Sequence, residues 1–176
     1  VLRLYKKDGD TLRYWEAWVD DNGLSVHHGI VGEMGQHQTI SAPAGEDPDM
    51  VLAEAAGPLV DEGYDEPDPE AMAPLVIQYP VQGKGTGHDF EKRNAVEELL
   101  TDILGWTGNG EVEGGETQPG RMNVFCRVMV PEVAVRTLVE ALEEEGYLEG
   151  AIIAHVPEGA EPRVVWPEGS MGPFRV

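Results

Sequence analysis

Residues 65–70 read Asp-Glu-Pro-Asp-Pro-Glu, four carboxylates and two prolines without one apolar side chain. Proline lacks an amide donor and fixes φ, so neither a helix interior nor a central strand runs through such a stretch. Repulsion among the acids holds it extended, which makes it a linker. The chain of 176 residues is therefore expected to be α+β with two small domains, residues 1–66 and 74–176, joined by residues 67–73. Each domain must close a core of its own.

Before the linker, residues 2–7 and 12–19 read as strands about an Asp8-Gly9-Asp10 turn. Residues 24–31 form a third strand after Asp20-Asp21-Asn22-Gly23. Asn-Gly is a strong hairpin signal, because both residues tolerate the positive φ of a tight type I′ turn. A helix starts near Asp47, with Pro48 in its first turn and Met50, Val51 and Leu52 behind it. Gly57-Pro58 is expected to kink or split that helix.

The third strand opens the run His28-Gly29-Ile30-Val31-Gly32-Glu33-Met34-Gly35-Gln36, which a loop, the helix and Asp61-Glu62-Gly63-Tyr64 follow. Over about residues 2–66 this resembles the WGR domain, found in poly(ADP-ribose) polymerases and in bacterial proteins of varied context. The spacing of Gly29, Gly32, Gly35 and Gln36 carries the likeness. It implies a small antiparallel sheet with a helix. In the nuclear enzymes the motif's Trp and Arg help to hold a DNA end, but His28 and Ile30 stand at those positions here. The resemblance thus implies the scaffold without the chemistry of the contact. On the residues alone, the glycines serve bulges, positive φ or close backbone approach.

After the linker, residues 74–81 form a strand bounded by prolines. Asp89 is expected to cap a helix through Leu104, whose Val96, Leu99, Leu100, Ile103 and Leu104 share one face, and Gly105 to end it. A glycine-rich segment over residues 111–120 leads into a buried strand at 122–129. Pro131 opens a second helix lined by Val135, Leu138, Val139 and Leu142 and stopped by Gly146, and residues 151–156 make a last strand. The order β-α-β-β-α-β is that of a ferredoxin-like sandwich. The tail from Pro157, with Trp166 and Phe174, is expected to pack across one face. Residues 110–115 and Met122-Asn123-Val124-Phe125 loosely resemble small bacterial ferredoxin-like proteins, some of which the likeness would make binding or immunity partners.

Charge narrows the choice of partner. The chain carries 12 Lys and Arg against 33 Asp and Glu, a formal net charge of −21. Between Arg13 and Lys84 no Lys or Arg occurs, while 14 acids do. A nucleic-acid backbone must be met by cations, so nucleic acid and anionic membranes are not expected partners. A basic protein is. The acids expected to meet it are Glu16, Asp20, Asp21, Glu33, Asp61, Glu62, Asp65 and Glu66. An immunity protein or inhibitor masking a cationic toxin fits this pattern. The alternatives are a WGR-type accessory module in DNA repair or ADP-ribosylation, a small-ligand or phosphate-binding protein, and acidity that merely follows a salt-tolerant or high-GC proteome.

No catalytic set emerges. The one cysteine, Cys126, lies in an apolar run and reads as a buried thiol, which leaves no intrachain disulfide and no Cys-based metal cage. His27 and His28 point to opposite faces of a regular strand, and His37, His88 and His155 have no metal-ligand spacing. Asp20-Asp21-Asn22-Gly23 lacks the later bidentate Glu of a calcium loop, so turn chemistry accounts for it. Gly83, Lys84, Gly85, Thr86 and Gly87, between a strand and a helix, form a weak phosphate-loop candidate without the Walker spacing. Ser25, Ser41 and Ser170 lie in no nucleophile elbow. Neither enzyme activity nor a cofactor is expected. No run approaches the ~18 apolar residues of a membrane span, and residues 1–7 lack a signal pattern, so a cytoplasmic address is expected.

Overall fold

The computed structural model describes residues 1–41, 45–170 and 174–176. Among them are two antiparallel sheets, of four and five strands, and three α-helices. The chain divides into two compact units, Val1–Pro69 with Trp106–Gly108, and Glu70–Gly105 with Asn109–Val176. The acidic segment is less extended than its charge implies. Asp65 exchanges backbone hydrogen bonds of 2.8 and 2.9 Å with Tyr5, and Pro69–Ala71 turn as a short 3₁₀ helix. Local backbone bonding here outweighs repulsion between exposed carboxylates, which water screens.

In the first unit, β1 (Leu2–Asp8), β2 (Thr11–Asp20), β3 (Gly23–Ile30) and β4 (Gln36–Ile40) form a meander in chain order, followed by α1 (Pro48–Asp61). The two tight turns set the register, pairing Asp8 with Thr11 and Asp20 with Gly23. Asp20 holds its turn by accepting from the Asn22 amide at 2.7 Å and from the Ser25 hydroxyl at 3.2 Å. Strand alternation then sends Leu4, Trp15, Ala17, Leu24 and Val26 to one face, where they pack with Val51 and Ala56 of α1.

Two expectations fail in this unit. The segment after Gly35, read as a loop, contains β4, an edge strand whose five residues are all exposed and so show no apolar alternation. Pro58 does not split α1 either. It lies in the last turn, and both Pro58 and Glu54, whose carbonyl loses its donor, are exposed and within reach of water. Asp47 caps the helix start by accepting from the Asp49 amide at 3.0 Å. Gly63, at φ 94°, closes the far end while Tyr64 N–H donates to Leu59 at 2.9 Å, a Schellman ending.

The second unit contains β5 (Ala73–Pro80), α2 (Gly87–Trp106, its last residue counted with the first unit), β6 (Gly110–Gln118) and β7 (Arg121–Val128). After them come α3 (Pro131–Glu144), β8 (Ile152–His155) and β9 (Arg163–Trp166). The strand order is β6-β7-β5-β8-β9, and all neighbours are antiparallel. Leu75, Ile77, Val124, Cys126 and Ile153 of the sheet share one core with Val96, Leu100 and Leu104 of α2 and Leu138 and Leu142 of α3. Both helices therefore cover the same face. The tail adds β9 at the β8 edge, besides laying the Arg175 carbonyl against Gln78 Nε2 at 2.8 Å. Burial, and then the Glu113 charge, push the Cys126 thiol up to about 12, so it stays protonated and inert.

Buried Asn109 joins the end of α2 to the start of α3. Its Oδ1 accepts from Val130 N–H at 2.8 Å, and its Nδ2 donates to the Val130 carbonyl at 3.2 Å. Truncating Leu138, fully buried in this core, to Ala is expected to cost about 3 kcal/mol. Glu140→Ala, on the exposed side of α3, should cost under about 0.5 kcal/mol. Urea midpoints of the two variants check the difference.

Candidate functional site

Register brings together what sequence distance separates. Arg3, Glu16, His27 and His37 are successive cross-strand partners over four strands, on the face of the first sheet opposite α1. Tyr5, Tyr14 and Gly29 form the next row. Arg3 Nε donates to Glu16 Oε2 at 2.8 Å, Glu16 Oε1 lies 3.2 Å from His27 Nδ1, and His27 Nε2 lies 3.0 Å from the Tyr14 hydroxyl. That hydroxyl in turn donates to the Trp106 carbonyl at 3.2 Å. Glu16 is 9% exposed and His27 2%. Burial, then the charge of Glu16 and then Tyr5, drive the Tyr14 pKa far up, so its hydroxyl stays neutral.

Carboxylate, imidazole and hydroxyl in series have the connectivity of a nucleophile triad. Here the chain is closed at both ends. Arg3 neutralises Glu16, and Tyr14, 2% exposed, is sealed by the Trp106 carbonyl, leaving no space for a reacting atom. The arrangement is a satisfied buried polar network.

The motif glycines serve this network. Gly35 N–H donates to the Trp106 carbonyl at 3.0 Å, Gly32 N–H to Thr107 at 2.8 Å, and the Tyr5 hydroxyl to Gly108 at 3.0 Å. Three consecutive carbonyls are thus satisfied, two by the glycine connection between β3 and β4 and one by Tyr5 of β1. A Cβ on Gly35 would overlap the Tyr14 hydroxyl and His27 Nε2, and one on Gly108 would enter the Tyr14 ring. Gly32 has φ 91°. His28, Ile30 and Gln36 lie elsewhere: His28 and Ile30 alternate onto the α1 side of the sheet, and exposed Gln36 pairs with His28. Outside the network Trp18 stacks on His37 at 5.7 Å, and the His37 ring meets Trp106 edge-on at 6.2 Å.

Among the acids expected to meet a partner, Glu16 must be withdrawn. It points inward to Arg3 and His27, because its strand parity is that of Tyr14 and not of Trp15. Asp20, Asp21, Glu33, Asp61, Glu62, Asp65 and Glu66 are exposed. The Asn22 amide, helped by the Ser25, Trp18 and Asn22 side chains, holds the Asp20 carboxyl below the usual carboxylate range. Among the described residues, no group of three or more His, Cys, Asp or Glu is placed to hold a metal ion.

The phosphate-loop candidate is occupied by the protein itself. Helix α2 begins at Gly87, so Asp89 lies in its first turn and is not the residue that precedes it. The Asp89 carboxylate accepts from Thr86 N–H at 2.7 Å and from the Thr86 hydroxyl at 2.8 Å. Asp89 N–H reaches back to Thr86 Oγ1 at 3.3 Å, which makes a capping box with Asp in place of Glu. Gly85 N–H is taken by the Gln82 carbonyl at 3.0 Å. The acid stands where a phosphate would have to bind, and phosphate binding by Gly83–Gly87 is not supported.

Two predictions follow from these contacts. Gly35→Ala must displace Tyr14 or His27 and should cost more than about 2 kcal/mol in urea denaturation. Tyr14→Phe, which leaves His27 Nε2 without its partner and the Trp106 carbonyl with the Gly35 N–H alone, should cost about 1–3 kcal/mol. The second concerns pH. The Thr86 amide, and then its hydroxyl, hold Asp89 below its unfolded value, so its contribution is present above the usual carboxylate range and lost as pH falls through the folded value. The gap in thermal stability between wild type and Asp89→Ala should therefore narrow on acidification and stay constant above that range.

No protein-family model matches the chain, and neither a curated protein nor a solved structure is similar enough to match it.

Proposed function

We propose that this chain is a non-catalytic binding protein whose acidic surface masks a basic protein partner, in the manner of an immunity protein or inhibitor. One observation carries the reading. Of the 14 acids between Arg13 and Lys84, 13 are exposed, and Glu16 is the exception. Three of the cations before that stretch are engaged locally: Arg3 with Glu16, Arg13 with Asp8 at 3.2 Å, and Lys6 over the Tyr64 ring at 5.6 Å. Complementary charge of this kind accelerates encounter and rejects anionic competitors.

The finer fold readings belong to the same proposal. The β1–β4 meander, with α1 on one face and the glycine motif on the other, supports a WGR-like scaffold for the first unit. The order β6-β7-β5-β8, with α2 and α3 over one face, supports a ferredoxin-like sandwich extended by β9. Among the described residues no helix is long and apolar enough to cross a membrane, which accords with the proposed cytoplasmic address.

Capture of partners from native lysate, with and without nuclease, tests the function. The expected result is a stoichiometric basic protein, retained after nuclease and released by salt. Capture that depends on intact nucleic acid would replace this reading with a WGR-type accessory role. With a partner in hand, the double substitution Glu33→Lys, Glu62→Lys should slow association severalfold at low salt and much less at high salt. An unchanged rate would overturn the steering role of these acids.

A further inference from the structure

We propose that the groove between β1 and α1 receives an amphipathic helix of the basic partner, with apolar side chains in the groove and Lys or Arg on its rim. The inference rests on the acidic-surface reading above and names where that surface binds. The groove encloses about 670 Å³ within the first unit. Leu2 and Leu4 of β1 and Leu52 and Ala56 of α1 line its apolar wall. Ala53 and Gly57 leave the depression open, since a Cβ built on Gly57 meets no atom within 4 Å.

The chemistry of the rim selects the occupant. Asp49, Asp61 and Glu66 border the groove, no Lys or Arg lines it, and none of the three acids has an ion-pair partner among the described residues. Val60, also on the rim, is 54% exposed, so apolar surface lies open to water beside the carboxylates. An occupant that is only apolar would leave three carboxylates without counter-charge. An occupant that is only cationic would leave half-buried Leu2 and Leu52 and exposed Val60 uncovered. A helix carrying both satisfies the wall and the rim together. The 14 residues of α1 run about 21 Å, the length of a partner helix of about four turns.

Labelled synthetic peptides test the groove on the intact chain by fluorescence anisotropy. The first peptide has Leu at i, i+3, i+4 and i+7 with Lys and Arg flanking that stripe. The second scrambles the same composition, and the third replaces the basic residues by Gln. The first should bind at least tenfold more tightly than either of the others. Gly57→Leu fills the groove from a helical position with free space around it, so the variant should fold as wild type by circular dichroism and thermal melting. It should lose at least tenfold in affinity for the first peptide. Asp61→Lys should weaken the first peptide severalfold and leave the Gln peptide unaffected. Equal binding of the first two peptides, with Gly57→Leu without effect, would overturn the groove and leave the acidic-surface reading intact. Equal binding of the first and Gln peptides would overturn the basic occupant. Failure of every peptide to bind at low salt would overturn both the groove and the reading on which it rests.

Discussion

The first unit depends on burying one carboxylate. Glu16 enters the sheet interior by strand parity, and an unpaired carboxylate there would cost several kcal/mol. Arg3 on one side and His27 on the other serve its two oxygens. The Tyr14 hydroxyl carries a single proton, so it cannot donate to His27 and to the Trp106 carbonyl at once. The glycines follow from this. Any side chain at Gly35 or Gly108 would take space that Tyr14 and His27 already fill. A spacing that resembles a nucleic-acid-binding motif is explained here by the packing of a polar network.

The same sheet separates two chemistries. One face carries Arg3, Tyr5, Tyr14, Glu16 and His27, and the other carries Leu4, Trp15, Ala17 and Val26 under α1. Because Glu16 alone of the acids in the cation-free stretch turns inward, the rest of that charge remains outside. Self-repulsion of an unbalanced surface costs stability, and a partner of opposite charge would relieve it.

Much of this was legible in the chain, and the remainder was hidden for physical reasons. The turns at Gly9 and at Asn22-Gly23 fix the register, and counting back from Asp8↔Thr11 and Asp20↔Gly23 already places Arg3, Glu16 and His27 in one row. The helical period of Val96, Leu100 and Leu104 marks the face that α2 buries. Strand β4 left no mark, because Gln36, His37, Gln38 and Thr39 are exposed on an edge and need no apolar alternation. Its absence concealed the pairing of His27 with His37. The place of Trp106–Gly108 in the first unit is a contact over some 90 residues, such as Tyr14 to Trp106, and no local pattern encodes it. Thr86 and Asp89 were misread because either could cap a helix, and only their reciprocal hydrogen bonds decide which precedes it.

Helix α1 departs from local rules in one place. Gly57 costs a helix interior about 1 kcal/mol relative to Ala, and Pro58 in the last turn takes the donor from the Glu54 carbonyl. Asp61 and Glu62 stand at the negative end of the helix dipole, with no basic residue in the last turn to offset them. The core gains nothing from these choices, since Val51 and Ala56 already supply the buried side of the helix. All four residues fall within six positions, and two of them touch one feature: Gly57 opens the groove and Asp61 rims it, with exposed Val60 between them. Local inconsistency that packing does not explain is characteristic of surfaces shaped by function. On the proposed reading, the C-terminal half of α1 is where the needs of binding and of folding part company in this chain.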